Sequence, residues 1–270
     1  MSIVAMTREI GSLGTYIAQE TARRLGYNFV RQEIIVEAAR RHEADPRVLE
    51  ATVEAKPKAF ESRQGAARRN FSFVAAEVLN VALKDNVVIL GRWSTLLLRG
   101  VEHVLRVRVC APLPVRARRL AEQMRLSPVE TAERIRRADE GIHLRMRQFF
   151  DIAWEDPREY DLTLNTERLS VAEAAETVVG MAGLPSRQPT EESRTALWDA
   201  ALAARIRAAL KAGVETAHLD LTIRCDGGRT DLTGTVPEEE DRERVGRIAA
   251  GYAGVRAVEN RLVVTRMPVH

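Results

Sequence analysis

Residues 2–15 read Ser2-Ile3-Val4-Ala5-Met6-Thr7-Arg8-Glu9-Ile10-Gly11-Ser12-Leu13-Gly14-Thr15, an apolar run that passes through a glycine-bearing turn into a segment of helical character. A strand feeding a helix through such a turn points backbone N–H groups and the positive end of the helix at one spot, which suits an anion. A tight chain reversal accounts for the same two glycines, so taken alone they leave both readings open. The P-loop pattern G-x-x-x-x-G-K-[ST] is not matched. Aligned on Gly14-Thr15, the lysine position falls on Leu13. No lysine precedes Lys56, so a phosphate bound here must draw its positive charge from arginine, with Arg8 nearest in sequence.

That substitution is general along the chain. Of the 41 basic residues, all but Lys56, Lys58, Lys84 and Lys211 are arginine. The formal net charge is only +3 and aromatics are 5% of the chain, which disfavours generic nucleic-acid binding by charge and base stacking. Cys110 and Cys225 are isolated, and the five histidines form no ligand spacing, so neither a disulfide framework nor a metal site is indicated. The two free cysteines, the lack of a basic-then-apolar leader and the lack of a run approaching the roughly 20 apolar residues of a membrane span predict a cytoplasmic protein.

Length and pattern predict two domains within the 270 residues. Residues 1–183 alternate short apolar runs with longer helical patterns, the mark of an α/β domain whose parallel sheet carries helices on both faces. Strands are expected at 2–6, 86–90, 103–110 and 161–165, and helices at 14–25, 32–41, 70–84, 114–125, 128–152 and 171–181. Two helix starts carry capping boxes, Ser127-x-x-Glu130 and Ser170-x-x-Glu173. A linker is expected at 184–194, where Pro185 and Pro189 break the periodicity. Residues 195–266 then read helix, strand, strand, helix, strand. Asp226-Gly227-Gly228 supplies the hairpin turn, making a small α+β domain of α-β-β-α-β order.

Two further features carry chemistry. Gly91-Arg92 closes the apolar run Val87-Val88-Ile89-Leu90, and ligands of open parallel sheets bind at the carboxyl ends of strands, which brings Arg92 toward the first turn. Residues 116–147 carry nine arginines, among them Arg116, Arg119, Arg137 and Arg145. They suit either a cationic lid over a phosphate or a solvated helix face with i,i+4 partners such as Glu133 and Arg137.

The pieces Thr7-Arg8-Glu9-Ile10-Gly11-Ser12-x-Gly14, Val88-Ile89-Leu90-Gly91-Arg92, Ala111-Pro112-Leu113-Pro114-Val115-Arg116 and Tyr160-Asp161-Leu162-Thr163-Leu164-Asn165-Thr166 stand in the order found in the cytidylate kinase-like family, a branch of the P-loop nucleoside monophosphate kinases, which residues 1–181 resemble. The resemblance implies a three-layer fold and ATP-dependent phosphoryl transfer to a nucleoside monophosphate such as CMP, with Mg²⁺ bridging phosphates. It assigns Arg8, Gly11, Ser12, Gly14 and Thr15 to the ATP phosphates. Arg8, Arg116 and Arg119 become the catalytic charges, and Arg92, Arg137 and Asp139 the acceptor side. No dedicated metal ligand stands out; Ser12, Thr15 or Asp139 would supply the oxygen. The chain departs from the family pattern at Leu13, at Trp93 in place of an acid, and at Ile142 in place of a lid arginine. Those departures raise an alternative, a catalytically impaired nucleotide sensor or adaptor.

Residues 195–266 resemble a BON domain through Leu232-Thr233-Gly234-Thr235-Val236 and Gly254-Val255-x-x-Val258-x-Asn260-x-Leu262-x-Val264. That likeness implies a docking or self-association role ahead of direct membrane contact, because the segment is near neutral. The expected partners are a nucleotide ligand and, through the BON domain, a protein or a second copy, with no nucleic acid.

Overall fold

The structure is a computed structural model that describes residues 2–54 and 65–265. Strands β1 (Ile3–Arg8), β2 (Asn28–Val30), β3 (Val87–Leu90), β4 (Val104–Cys110) and β5 (Leu162–Asn165) form one sheet in the order β2-β3-β1-β4-β5. Every pairing is parallel. The intervening helices are α1 (Gly14–Leu25), α2 (Glu33–Arg41), α3 (Pro46–Glu54), α4 (Gly65–Ala82), α5 (Ser94–Leu97), α6 (Leu113–Met124), α7 (Pro128–Phe150) and α8 (Val171–Ala182).

β1 sits at the centre because it is apolar on both faces, as a strand covered by helices on each side must be. Val4 and Met6 pack with Val88, Leu90 and Val107 under α1 and α8. Ile3 and Ala5 pack the other way, with Val87, Ile89 and Val104, against α2, α4 and α7. This is the predicted three-layer architecture. Both capping boxes form, with Ser127 and Ser170 accepting from the N–H of Glu130 and Glu173.

Three elements were not anticipated. β2 is three residues long, too short for a period-two pattern to show, and α5 is a single turn after Trp93. α3 starts at Pro46, where the Asp45 carboxylate accepts the Arg47 N–H at 2.8 Å. The helix expected at 70–84 begins five residues earlier, at Gly65. The helix expected to run to 152 ends at Phe150, where Asp151 takes a left-handed conformation.

The C-terminal part consists of α9 (Glu191–Ala212), β6 (Leu221–Asp226), β7 (Arg229–Val236), α10 (Glu239–Ala250) and β8 (Ala257–Val264), the predicted order. β6 and β7 are antiparallel and β8 joins β7 in parallel. Gly227 and Gly228 both adopt positive φ, as a two-residue hairpin requires, and Asp199 of α9 accepts their N–H groups at 2.8 and 3.3 Å.

The expected linker at 184–194 is not a break of that length. Pro185–Arg187 make one 3-10 turn, and α9 starts at Glu191 because Thr190 and Ser193 form a capping box. α9 is also apolar on two stripes. Leu197, Ala201, Ala204 and Ala208, spaced i, i+4, i+7, i+11, are buried in the core that includes α4. Leu202, Ile206 and Leu210 are buried in the core of the small sheet. Polar contacts reinforce the first stripe: Arg205 donates to Asn80 at 2.6 Å and Arg194 to Asp85 at 2.7 Å. No helix among the described residues is long and apolar enough to cross a membrane.

His103, fully buried just before β4, fastens the start of α9 through Nδ1 and the Ser193 hydroxyl at 2.8 Å. Burial holds its imidazole below the usual 6.5, and the nearby Asp85 carboxylate only partly offsets that. The neutral form is therefore favoured in the fold, while the unfolded chain takes up a proton near 6.5. The resulting stability is whole above that pH and declines as pH falls through it toward the folded value. Urea midpoints are expected to drop between pH 7 and pH 5, and the drop to shrink in His103→Gln. An unchanged slope in that variant refutes the assignment.

Candidate functional site

All five parallel strands deliver a residue to the same edge of the sheet. β1 runs into the loop Glu9–Leu13, β2 into Arg31, β3 into Gly91-Arg92, β4 into Ala111 and β5 into Thr166. Strand order reverses beside β1, so this is the edge at which an open parallel sheet leaves a crevice.

The loop is held from below. The buried Glu9 carboxylate accepts from Arg108 at 2.5 Å and from the Ala111 N–H at 3.1 Å, and lies 3.2 Å from Arg116 Nε. Arg116, itself 6% exposed, donates to the Ala111 carbonyl at 2.9 Å and to the Asp139 carboxylate at 2.9 and 3.3 Å. Two carboxylates thus meet two guanidinium groups, and this cluster adds no net charge to the edge above it. Gly11, at φ +81°, is needed twice over, since a Cβ there would also stand 2.8 Å from the Arg116 carbonyl oxygen.

Leu13, at the lysine position, is among the residues that border the anion site. It is the N-cap of α1, left-handed at φ 64°, with its side chain packed against the core on that face of the sheet. The first helical residue is Gly14, and a Cβ there would lie 2.6 Å from Arg8 Cβ and 3.2 Å from Arg8 Cδ. The Arg8 side chain thus fills the space that a side chain at the helix start would use, and its Nε donates to Thr15 Oγ1 at 2.9 Å. The N-cap has no side-chain acceptor and the first turn has no acid, so the leading N–H groups of α1 remain open to an anion.

A groove of about 460 Å³ lies over this turn. Of the residues singled out by sequence, Arg8, Gly11, Gly14, Thr15, Arg92 and Arg119 line it. Arg119 is aimed by two bonds to Thr166, at 2.7 Å to the carbonyl and 3.1 Å to the hydroxyl. The other four are engaged elsewhere. Ser12 is fully buried and its hydroxyl donates to the Glu9 carbonyl at 2.8 Å, so it is not placed to meet phosphate or metal. Arg116 and Asp139 neutralise each other beneath the loop. Arg137 is exposed on α7 and pairs with Glu133 at 3.8 Å, an ordinary helix-surface contact.

Next to the groove, a second pocket opens between the ends of β1 and β3 and helices α2, α3 and α4. Its walls are Ile34, Ile35, Val74 and Val78. Arg8, Arg31 and Arg92 line both cavities and so form the seam between them. Arg92 is 7% exposed, and its Nη1 donates to the Val53 carbonyl of α3 at 3.3 Å. Sequence reasoning missed Arg31 because the strand before it is so short. The signal was Gly26, which closes α1 in a left-handed conformation and leaves Tyr27–Val30 to form the strand. Glu9 was missed as well, because its partners are about a hundred residues away.

The arrangement can bind a polyanion through four guanidinium groups and a helix start, in a concave site that excludes water from one side. Among the described residues no group of three or more His, Cys, Asp or Glu converges as a metal site. Burial pushes the Cys110 thiol up, which makes it a poor nucleophile.

No curated protein matches the chain. Among solved structures, an uncharacterized protein from Eubacterium ventriosum superposes with a TM-score of 0.51 at 16% identity, covering 67% of this chain and 98% of its own. That likeness is one of fold. A shikimate kinase from Bacteroides thetaiotaomicron gives 0.43 at 16% identity, covering 68% of this chain and 99% of its own. A shikimate kinase from Acinetobacter baumannii, solved with shikimate, gives 0.39 at 13%, covering 67% and 92%. Residues 199–266 match the BON domain, and residues 3–168, which hold the whole of the groove and its seam, match the cytidylate kinase-like family, to which this chain belongs.

Proposed function

We propose that the N-terminal domain transfers a phosphoryl group from ATP to a nucleoside monophosphate, with CMP the first acceptor to test. The observation that carries this reading is the seam of Arg8, Arg31 and Arg92 between two adjoining cavities, one beneath an uncapped helix start and one with apolar walls. Phosphoryl transfer asks little of a protein beyond alignment of donor and acceptor and positive charge around the transferred group. The α1 start, Arg8 and Arg119 suit the donor phosphates, and Arg31 and Arg92 suit the acceptor phosphate. Among the described residues no cluster of carboxylates lines the groove, so Mg²⁺ would arrive on the phosphate oxygens, with Thr15 a hydroxyl of the groove wall.

ADP formation with ATP, Mg²⁺ and each monophosphate tests the proposal. Arg8→Ala is expected to lower kcat/KM about 10²- to 10³-fold, the usual cost of removing one preorganised charge. No turnover with any acceptor rules out the transferase. The second reading, a nucleotide sensor, draws on Leu13 at the lysine position, beside a helix start whose space Arg8 fills. Nucleotide binding without turnover would select it.

The C-terminal domain we assign to protein docking or self-association. The outward side of its sheet carries the cross-strand ion pairs Arg229–Glu259 and Arg261–Asp231, a charged surface ill suited to entering lipid.

A further inference from the structure

The first turns of α9 lie between two grooves of opposite charge. One, against β6, is lined by Glu191, Glu192, Asp199 and Asp226, with Arg224 its one base among the described residues. Asp199 is occupied by the N–H groups of Gly227 and Gly228. The Glu191, Glu192 and Asp226 carboxylates have no hydrogen-bond or ion-pair partner among the described residues. The other groove, against the hairpin turn and the loop before β8, is lined by Arg194, Trp198 and Arg256 and by no acid among the described residues. Arg194 is held by Asp85, whereas Arg256 has no carboxylate partner among the described residues. Thr195, exposed on α9, lines both grooves.

Trp198 is 42% exposed in the basic groove, although an indole is highly buried on average. It is not loose there. Arg205 lies over the ring at 5.5 Å and is itself fixed to Asn80, and Gly254 approaches so closely that a Cβ would stand 3.2 Å from the indole. An indole held rigid in solvent beside an unpaired arginine has the make-up of an interface anchor, because little entropy remains to be lost when it is covered. Its cover must be acidic, and a second copy of this chain already carries the acidic surface. A two-fold axis passing between the grooves, near Thr195, lays the acidic groove of one copy on the basic groove of the other and makes the same contact twice. We infer that the protein forms a two-fold homodimer through the start of α9, with Glu191 and Glu192 of each copy meeting Arg256 and Trp198 of the other. The inference rests on the reading of the C-terminal domain as a docking or self-association module and names its surface. All three apolar cores close within one chain, so the fold does not depend on the contact.

Sedimentation equilibrium of the full-length protein at low salt is expected to show monomer and dimer in exchange, with the dimer weakened as salt screens the surface charges. Arg256→Glu is expected to raise the dissociation constant about tenfold or more, and so is the double variant Glu191→Arg/Glu192→Arg, because each homodimer then sets like charges together twice. In an equimolar mixture of the two variants both contacts again join opposite charges, and the dimer is expected to return. Arg256 is exposed, and the double variant keeps the Thr190–Ser193 capping box, so matching far-ultraviolet dichroism is expected for both. If the double variant does not fold, Arg256→Glu carries the test alone. A mixture of folded variants that fails to dimerise overturns the inference. A dimer that survives Arg256→Glu overturns this surface while leaving self-association through another. A wild type that stays monomeric overturns the homodimer itself and leaves the basic groove to an acidic partner of another kind.

Discussion

Ala201→Asp is expected to unfold both domains of this protein together. Ala201 lies on the α9 stripe that packs in the α4 core and is fully buried. An unpaired carboxylate there faces a desolvation penalty of several kcal/mol, in addition to the strain of extra atoms in a filled core. Against a total stability of about 5–15 kcal/mol that is enough to depopulate the fold. The effect should reach the C-terminal sheet, because the opposite stripe of the same helix supplies Leu202, Ile206 and Leu210 to that core. Ala196→Asp, at an exposed position of α9, is the control and should shift stability by no more than about 0.5 kcal/mol. Urea titrations followed by far-ultraviolet dichroism and by tryptophan fluorescence should give one coincident transition in the wild type. Two separated transitions, only one of them moved by Ala201→Asp, would show that the domains are merely tethered.

The second large effect concerns Arg116. Arg116→Ala removes the guanidinium shared by Glu9 and Asp139, both of which lie against the phosphate loop or its supporting helix. Breaking a buried ion pair by deleting one partner costs about 3–5 kcal/mol, on the order of 10 °C in Tm for a domain of this size. Nucleotide binding should fall with it, since Glu9, Ile10 and Gly11 are all positioned by contacts with Arg116. Arg118→Ala, on the exposed side of α6, should leave Tm nearly unchanged. A lid arginine would behave differently. Loss of turnover with no loss of thermal stability in Arg116→Ala would return that residue to the role its motif implied.

Arg116, Asp139 and Ser12 share a history. Each lies in the neighbourhood that its motif implies, and each is committed to a partner in the protein. Motif position reports which strand end a residue follows, and that much was readable for Arg8, Arg92 and Arg119. It does not report whether a neighbouring carboxylate has already taken the charge. Glu9 meets Arg108 across 99 residues, and no local pattern encodes such a pairing. The unexpected Arg31 follows the same logic in reverse. Its strand is three residues long and, among the described residues, pairs only with β3, so the sheet, not the local sequence, makes it a strand.

By itself the sequence determined the classes and order of the main elements. Continuous apolar runs demanded a sheet covered on both faces, alternation after 218 demanded one half-buried, and Asp226-Gly227-Gly228 demanded a turn that only glycine tolerates. Those are properties of a few adjacent residues, set by side-chain period and backbone sterics. Tertiary structure alone decided which arginines face the groove, what fills the start of α1, and whether 184–194 separates two bodies. These depend on contacts between residues far apart in the chain. α9 shows why: helical periodicity announces that a helix has apolar positions, but its two stripes acquire meaning only when α4 occupies one and the small sheet the other.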